Sequence, residues 1–298
     1  MFSSSLPRYT VPAASAAAIA GLFLGVSPAS AAVSQTDFKN SCAAHAFGFA
    51  VPKTVQGGVV VDAPDLVEAG ETFTYRIQPT PASYPDVDTG ATTVNLSRLK
   101  IDYEIPANTT FVKAEVVANT ATNLAGVAPD VQRVNVTGAP DAAGGILRLS
   151  GNNEVSVNGP GAAADVEGGI VAPKTKTNLD GSPNAAGDTF FQLPAVDVTV
   201  TAGAVGTDIT PKLRVSGDAG AYDNPANYYS FLANAALGTT PVLAATNCVP
   251  RDSATADLNA GGGALATIVV GEPGPGGGDG DGGSGSAGSL TDLFGSLS

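Results

Sequence analysis

The residues of this 298-residue chain that could carry chemistry are few: two cysteines, one histidine and scattered carboxylates, with no tryptophan. Cys42 and Cys248 come first, with His45 three residues beyond Cys42. A closed zinc site takes four ligands, so two Cys and one His fall short unless carboxylates complete the set. A cysteine nucleophile needs a base against its thiolate, and His45 sits in Ala43-Ala44-His45-Ala46-Phe47, which reads as packing. An even cysteine count in an exported chain favours the third reading, a disulfide between Cys42 and Cys248.

Asp86-Val87-Asp88-Thr89-Gly90 alternates carboxylates ahead of a glycine, as calcium loops do. It lacks the distal Glu and the full spacing of such a loop, so Asp86 and Asp88 are weak calcium candidates and a plain acidic turn is the favoured reading. The acidic-amide loop Asn178 to Asp188 is weaker still. Tyr222, Tyr228 and Tyr229 stand beside Asp223, Asn224 and Asn227. That mix suits a glycan-contacting surface, although the same rings can fill a core. The lone histidine has no G-x-S-x-G elbow to serve, and no glycine motif joins a strand to a helix for phosphate. The expectation is therefore no cofactor, no resident metal and no catalytic residue. A hydrolase using carboxylates in the loop-rich stretch Gly159 to Gly187 is the alternative.

The first 31 residues read as a secretory signal, with Arg8 as their one charge, an apolar stretch from Val11 to Val26, and Ala29-Ser30-Ala31 ahead of the cleavage point. The stretch is rich in Ala and Ser and stops at Ser27-Pro28, so no spanning segment is expected after its removal. The formal charge is −13, and loss of Arg8 with the signal leaves −14. With no basic cluster, nucleic acid and anionic lipid are not expected as partners. The expected setting is secreted or in the cell envelope, with an envelope protein or a glycan as partner.

Strands must position whatever these residues do. Thr72 to Gln78 alternates Phe73, Tyr75 and Ile77 against Thr74, Arg76 and Gln78, the pattern of a half-buried antiparallel strand. Arg98 to Ile105 sets Leu99, Ile101, Tyr103 and Ile105 against a polar face of Arg98, Lys100, Asp102 and Glu104. Val196, Val198 and Val200 mark another strand, whereas Tyr228, Phe231, Leu232 and Ala235 recur at helical spacing and read as a short helix over Tyr228 to Leu237. Residues 32–255 are thus expected to form a disulfide-closed, all-β region, an antiparallel immunoglobulin-like β-sandwich with long loops. Residues 256–288 read as a Gly/Pro-rich linker, with one edge strand at Leu265 to Val270 and a disordered glycine tail from Gly271. Residues 289–298 read as a short amphipathic segment with Leu290, Leu293, Phe294 and Leu297 as a docking face.

Two of these stretches carry a resemblance. Glu68-Ala69-Gly70-Glu71-Thr72-Phe73-Thr74-Tyr75-Arg76-Ile77, then Ile101-Asp102-Tyr103-Glu104-Ile105-Pro106 with Thr110-Phe111-Val112, resembles the DUF11-type immunoglobulin-like modules of bacterial surface proteins over about Val59 to Val117. The resemblance implies a sandwich with a structural, adhesive or spacer role, and carries over no catalytic residue. It also brings in an intramolecular Lys-Asn isopeptide bond, against which Lys100 stands on the polar face of its strand. The Ala-rich signal and Gly-rich tail look like those of exported actinobacterial proteins.

Overall fold

The computed structural model describes residues 31–272. The segment read as a secretory signal, up to residue 30, and the expected docking face Leu290, Leu293, Phe294 and Leu297 lie outside the described residues. In chain order the strands are β1 (Ala31–Ala46), β2 (Phe49–Pro64), β3 (Leu66–Glu68), β4 (Thr72–Pro79), β5 (Ala82–Tyr84) and β6 (Val87–Asp88). Then come β7 (Ala91–Glu104), β8 (Thr109–Val116), β9 (Ala125–Gly126), β10 (Asp130–Val134), β11 (Ile146–Ser150) and β12 (Ile170–Pro173). The last are β13 (Thr189–Phe191), β14 (Val196–Ala202), β15 (Lys212–Leu213), β16 (Tyr229–Leu237), β17 (Thr240–Val249) and β18 (Val269–Gly271). Two single 3-10 turns, Gly217–Gly220 and Ala260–Gly262, are the helical elements among the described residues.

Alternation does the folding work. Phe73, Tyr75 and Ile77 of β4 and Val196, Val198 and Val200 of β14 are buried, while Thr72, Thr74 and Arg76 face out. The main antiparallel path runs β10-β11-β7-β16-β17-β1-β2-β4-β14-β8. Its end strands come together where the Arg133 guanidinium of β10 lies 4.9 Å from the centre of the Phe111 ring of β8. The expectation of an all-β, antiparallel chain holds, but its hydrogen bonding forms one large, nearly closed sheet around a single core.

The segment read as a helix is strand β16, between β7 and β17. Phe231 and Leu232 are both buried, so a strand covered on both faces lost its alternation and mimicked a helical period. The body also extends beyond residue 255. Leu265, Ile268 and Val270 enter the core, and β18 pairs in parallel with β3. Gly261 lies so near Phe38 that a Cβ there would stand 2.5 Å from the ring, which leaves glycine as the residue that fits.

The strand registers give the body two distinct ends. Ala31 pairs with Pro64 and Gly271 with Glu68, so the described chain enters and leaves at one end, the base. At the other end three hairpins turn, at Phe47-Gly48, Thr89-Gly90 and Gly238-Thr239. Here β4 has already left β2 at Val59–Pro79, and β11 and β15 reach β7 only between Ile101 and Glu104. A bulge at Arg98, with φ +50 and a register shift against β16, marks the change in β7. Beyond it β7-β16-β17-β1-β2 continue as an open curved sheet, with β12 and β6 each pairing the other edge of β7.

The polar face of β7 is not a solvated face. Lys100, Asp102 and the Arg148 of β11 are wholly buried beneath loops. Arg148 grips Asp102 in a fork, Nε to Oδ1 and Nη2 to Oδ2 both at 2.8 Å. Lys100 Nζ donates to Asp102 Oδ2 at 3.2 Å and Arg214 Nη1 to the same oxygen at 3.1 Å. Their remaining donors hold the covering loops: Arg148 reaches the Asn158 carbonyl at 2.6 Å and Arg214 the Val136 carbonyl at 2.6 Å. Lys100 is spent on Asp102 and the Asn227 backbone carbonyl at 2.7 Å, while the Asn227 amide nitrogen donates to Ala219 and Ala221. This geometry gives the isopeptide reading no support.

Burial lowers Lys100 to about 8, against the pull of Asp102. Burial alone would raise Asp102, but Lys100, Arg148 and Arg214 outweigh it and hold the carboxyl at about 2. The sign of each shift sets a pH window. Stability from Asp102 is complete above its unfolded value of 3.8 and is lost as pH falls towards about 2. Lys100 binds its proton less readily in the fold than in the unfolded chain, so stability should rise with pH from about 8 upwards. Urea midpoints measured between about pH 8 and 9.5, below the tyrosine range, should climb in the native chain and stay flat in Lys100→Met. Equal slopes would contradict this assignment.

Candidate functional site

The open sheet encloses a cavity of about 650 Å³, and the sequence leaves that space by what it puts at inward positions. Strand period 2 turns Ala44 and Ala46 of β1, Ala233 and Ala235 of β16, Ala244 of β17 and Ala91 of β7 towards it. In the closed half the corresponding positions carry Leu99, Ile101, Tyr103 and Val61, which fill the core. Val51, Val55, Val242 and Leu96 complete the apolar wall. Its floor and cover are aromatic: Tyr229 and Phe231 lie 5.3 Å apart on β16, and Tyr84 and Phe191 lie 6.3 Å apart on the small β5–β13 sheet. The Tyr84 hydroxyl donates to the Ala172 carbonyl at 3.0 Å, and burial pushes this phenol up to about 12.

One ion pair belongs to the lining. Lys53 stands on β2 and Asp88 on β6, the two margins of the open sheet, and Lys53 Nζ meets Asp88 Oδ1 at 2.7 Å across the mouth. Lys53 also donates to the Thr89 hydroxyl, which in turn donates to Asp88 at 2.9 Å. Burial raises the Asp88 carboxyl, but Lys53 and Thr89 outweigh it and hold it below its ordinary range. Asp86 is committed elsewhere, to Lys174 and to Lys176 at 2.6 Å, and these two, Lys174 foremost, lower its carboxyl. The two calcium candidates therefore answer different lysines. Among the described residues no group of three or more His, Cys, Asp or Glu could hold a metal ion. The Asn178 to Asp188 loop is closed by its own bonds, with Asp180 accepting from the Ser182 hydroxyl at 2.6 Å.

The other candidates are dispersed. Cys42 and Cys248 face each other across β1 and β17 and form a disulfide beside the cavity residues Ala44 and Thr246. His45 turns outward to Asp223, with Nε2 2.5 Å from Oδ1. The three tyrosines make no common surface. Tyr222 donates to the Cys42 carbonyl at 3.2 Å, Tyr228 is buried with its hydroxyl on Asn40 at 2.6 Å, and Tyr229 alone lines the cavity. In the Gly159 to Gly187 stretch, Glu167 is held between the amides of Asn95 and Asn234 at 2.9 and 3.0 Å. The cavity itself escaped sequence reasoning, because missing bulk is no motif. Its signal, alanine at alternate positions of Ala233–Ala235 and Ala44–Ala46, becomes legible once the strands are assigned.

The margin of β2 is blunted. Thr80 N–H donates to the Gly58 carbonyl at 2.9 Å, so even-numbered β2 residues aim their backbone groups outward, and above Gly58 that row includes Pro52, which has no N–H. Such a proline guards an edge against strand addition. A second depression, of about 510 Å³, lies between Gln35, Gln56, Gln78 and Gln192. It is an open surface hollow whose glutamines share its wall with Val60, Pro79 and Pro81.

Among the described residues no helix is long and apolar enough to cross a membrane. No protein-family model and no curated protein sequence matches the chain. It is similar to a crystal structure from Corynebacterium diphtheriae of a protein thought to be membrane anchored, with a TM-score of 0.38 and 14% identity over 81% of this chain and 38% of that one. A TM-score of that size marks a loose likeness, which brings neither a family nor a function to this chain.

Proposed function

We propose that this chain is an exported, non-enzymatic binding protein of the cell envelope or surface that holds an apolar ligand in the cavity at its mouth. The observation that carries the reading is the wall of alanine, valine and aromatic side chains around about 650 Å³, a size within the usual range of ligand sites. Its one carboxylate, Asp88, is tied to Lys53, which favours holding over hydrolysis. The secretory signal and the disulfide support export.

A lipophilic dye such as N-phenyl-1-naphthylamine tests this. It should bind the mature chain saturably, and Ala244→Trp, which adds a ring where β17 faces the cavity, should weaken it by about tenfold or more. The native sequence has no Trp, so the new indole also reports directly on the polarity of the cavity. Non-saturable dye uptake, or equal uptake by both proteins, would refute the reading.

A further inference from the structure

We infer that the mouth docks on a lipid surface of neutral net charge, and that the cavity receives an alkyl chain drawn from that surface. This rests on the binding reading above and goes beyond it in naming the source. The β1–β2 tip presents Phe47 and Phe49, 65% and 73% exposed, on either side of Gly48. Leu237 at the β16–β17 tip is 51% exposed and Val87 beside the β6–β7 tip is 56% exposed. Four large apolar side chains thus fringe the opening of an apolar cavity.

The backbone at these tips makes the fringe harder to dismiss. Phe47 and Gly48 have φ of +51 and +80, the two left-handed positions of a tight hairpin turn that asparagine and glycine fill most readily. An aromatic residue there is strained, and strain kept at an exposed tip points to a use for the side chain. Thr89 and Gly90 repeat the geometry with φ of +50 and +82. There the strained residue has a visible task, since its hydroxyl joins the Lys53–Asp88 pair.

The same surroundings choose lipid over other occupants. An added peptide strand meets Pro52 on the open margin. The tips surround a hole instead of offering a flat patch to a second copy. The mouth's Lys53–Asp88 pair is neutral while the chain as a whole carries −13, which suits a surface without net charge. Apolar side chains that enter the headgroup boundary contribute by buried area, and that contribution survives salt.

The test is flotation of the mature chain with phosphatidylcholine vesicles, beside the double variant Phe47→Ser/Phe49→Ser and the dye titration above. The native chain should float with the vesicles at low and high salt, and the double variant should do so at least about tenfold less while binding dye normally. Equal flotation of both proteins, or none by the native chain, overturns the docking. A native chain that is dimeric without lipid and made monomeric by the double variant also overturns it, since the tips would then meet a second copy. Flotation lost in the double variant with no dye bound by either protein overturns the alkyl-chain step and the binding reading beneath it.

Discussion

Replacing Asp102 by Asn is expected to lower stability by about 3–5 kcal/mol, the cost of breaking a buried ion pair from one side. Asp102 is the only carboxylate among three cations: it takes two bonds from Arg148 and one each from Lys100 and Arg214. The asparagine has nearly the same shape, so the loss is one of charge, and Lys100, Arg148 and Arg214 would be left buried without their counter-ion. Arg148 and Arg214 also carry the loops at Asn158 and Val136, so those loops should loosen first. Adding Lys100→Met to Asp102→Asn should recover part of the loss, because it removes one stranded cation. The exposed pair Arg76–Asp197, at 2.7 Å, gives the contrast: its removal should cost less than about 1 kcal/mol. Urea unfolding of the four proteins checks the set, and an Asp102→Asn loss as small as the Arg76 loss would show that the cluster is incidental.

The second large effect is expected from the disulfide. Cys42→Ala with Cys248→Ala should cost about 2–5 kcal/mol, near the top of that range if loop closure dominates. The bond spans a sequence separation of 206, so it removes many open conformations from the unfolded chain. In the folded chain the two residues are neighbours by register in β1 and β17. Their strands should therefore stay paired without the bond, and the loss should appear in the unfolding midpoint with little change in the dye affinity of the cavity. Reduction of the native protein should reproduce the shift. An unchanged midpoint would place the stabilisation elsewhere, in the closed sheet itself.

The faces of β4 and β14 were legible because one side is wet and one is dry, which is what alternation reports. The same signal misled at β7, since alternation separates Lys100 and Asp102 from Leu99 and Ile101 but says nothing of what covers the polar side. Long hairpin β1–β2 was hidden because its upper half carries alanines, valines and polar residues facing a space, where a packed core would have demanded bulk. Strand β16 passed for a helix because loops bury its outer face. Residues 256–272 looked like linker because a few widely spaced side chains, Leu265, Ile268 and Val270, are all that the base needs to close. The turn and strand stretches that resemble immunoglobulin-like modules do form β4 and β7, yet local strand patterns leave the order in which strands join to the rest of the chain. The disulfide was legible from the even cysteine count together with the expectation of export.

Whether the cavity holds an apolar chain is the claim on which the rest depends, and native mass spectrometry tests it most directly. The mature protein, mixed with a straight-chain fatty alcohol and desalted, should carry one alcohol per chain, and Ala244→Trp should carry none while keeping its disulfide. A native protein that retains no alcohol, or a variant that retains as much as the native chain, would contradict the account.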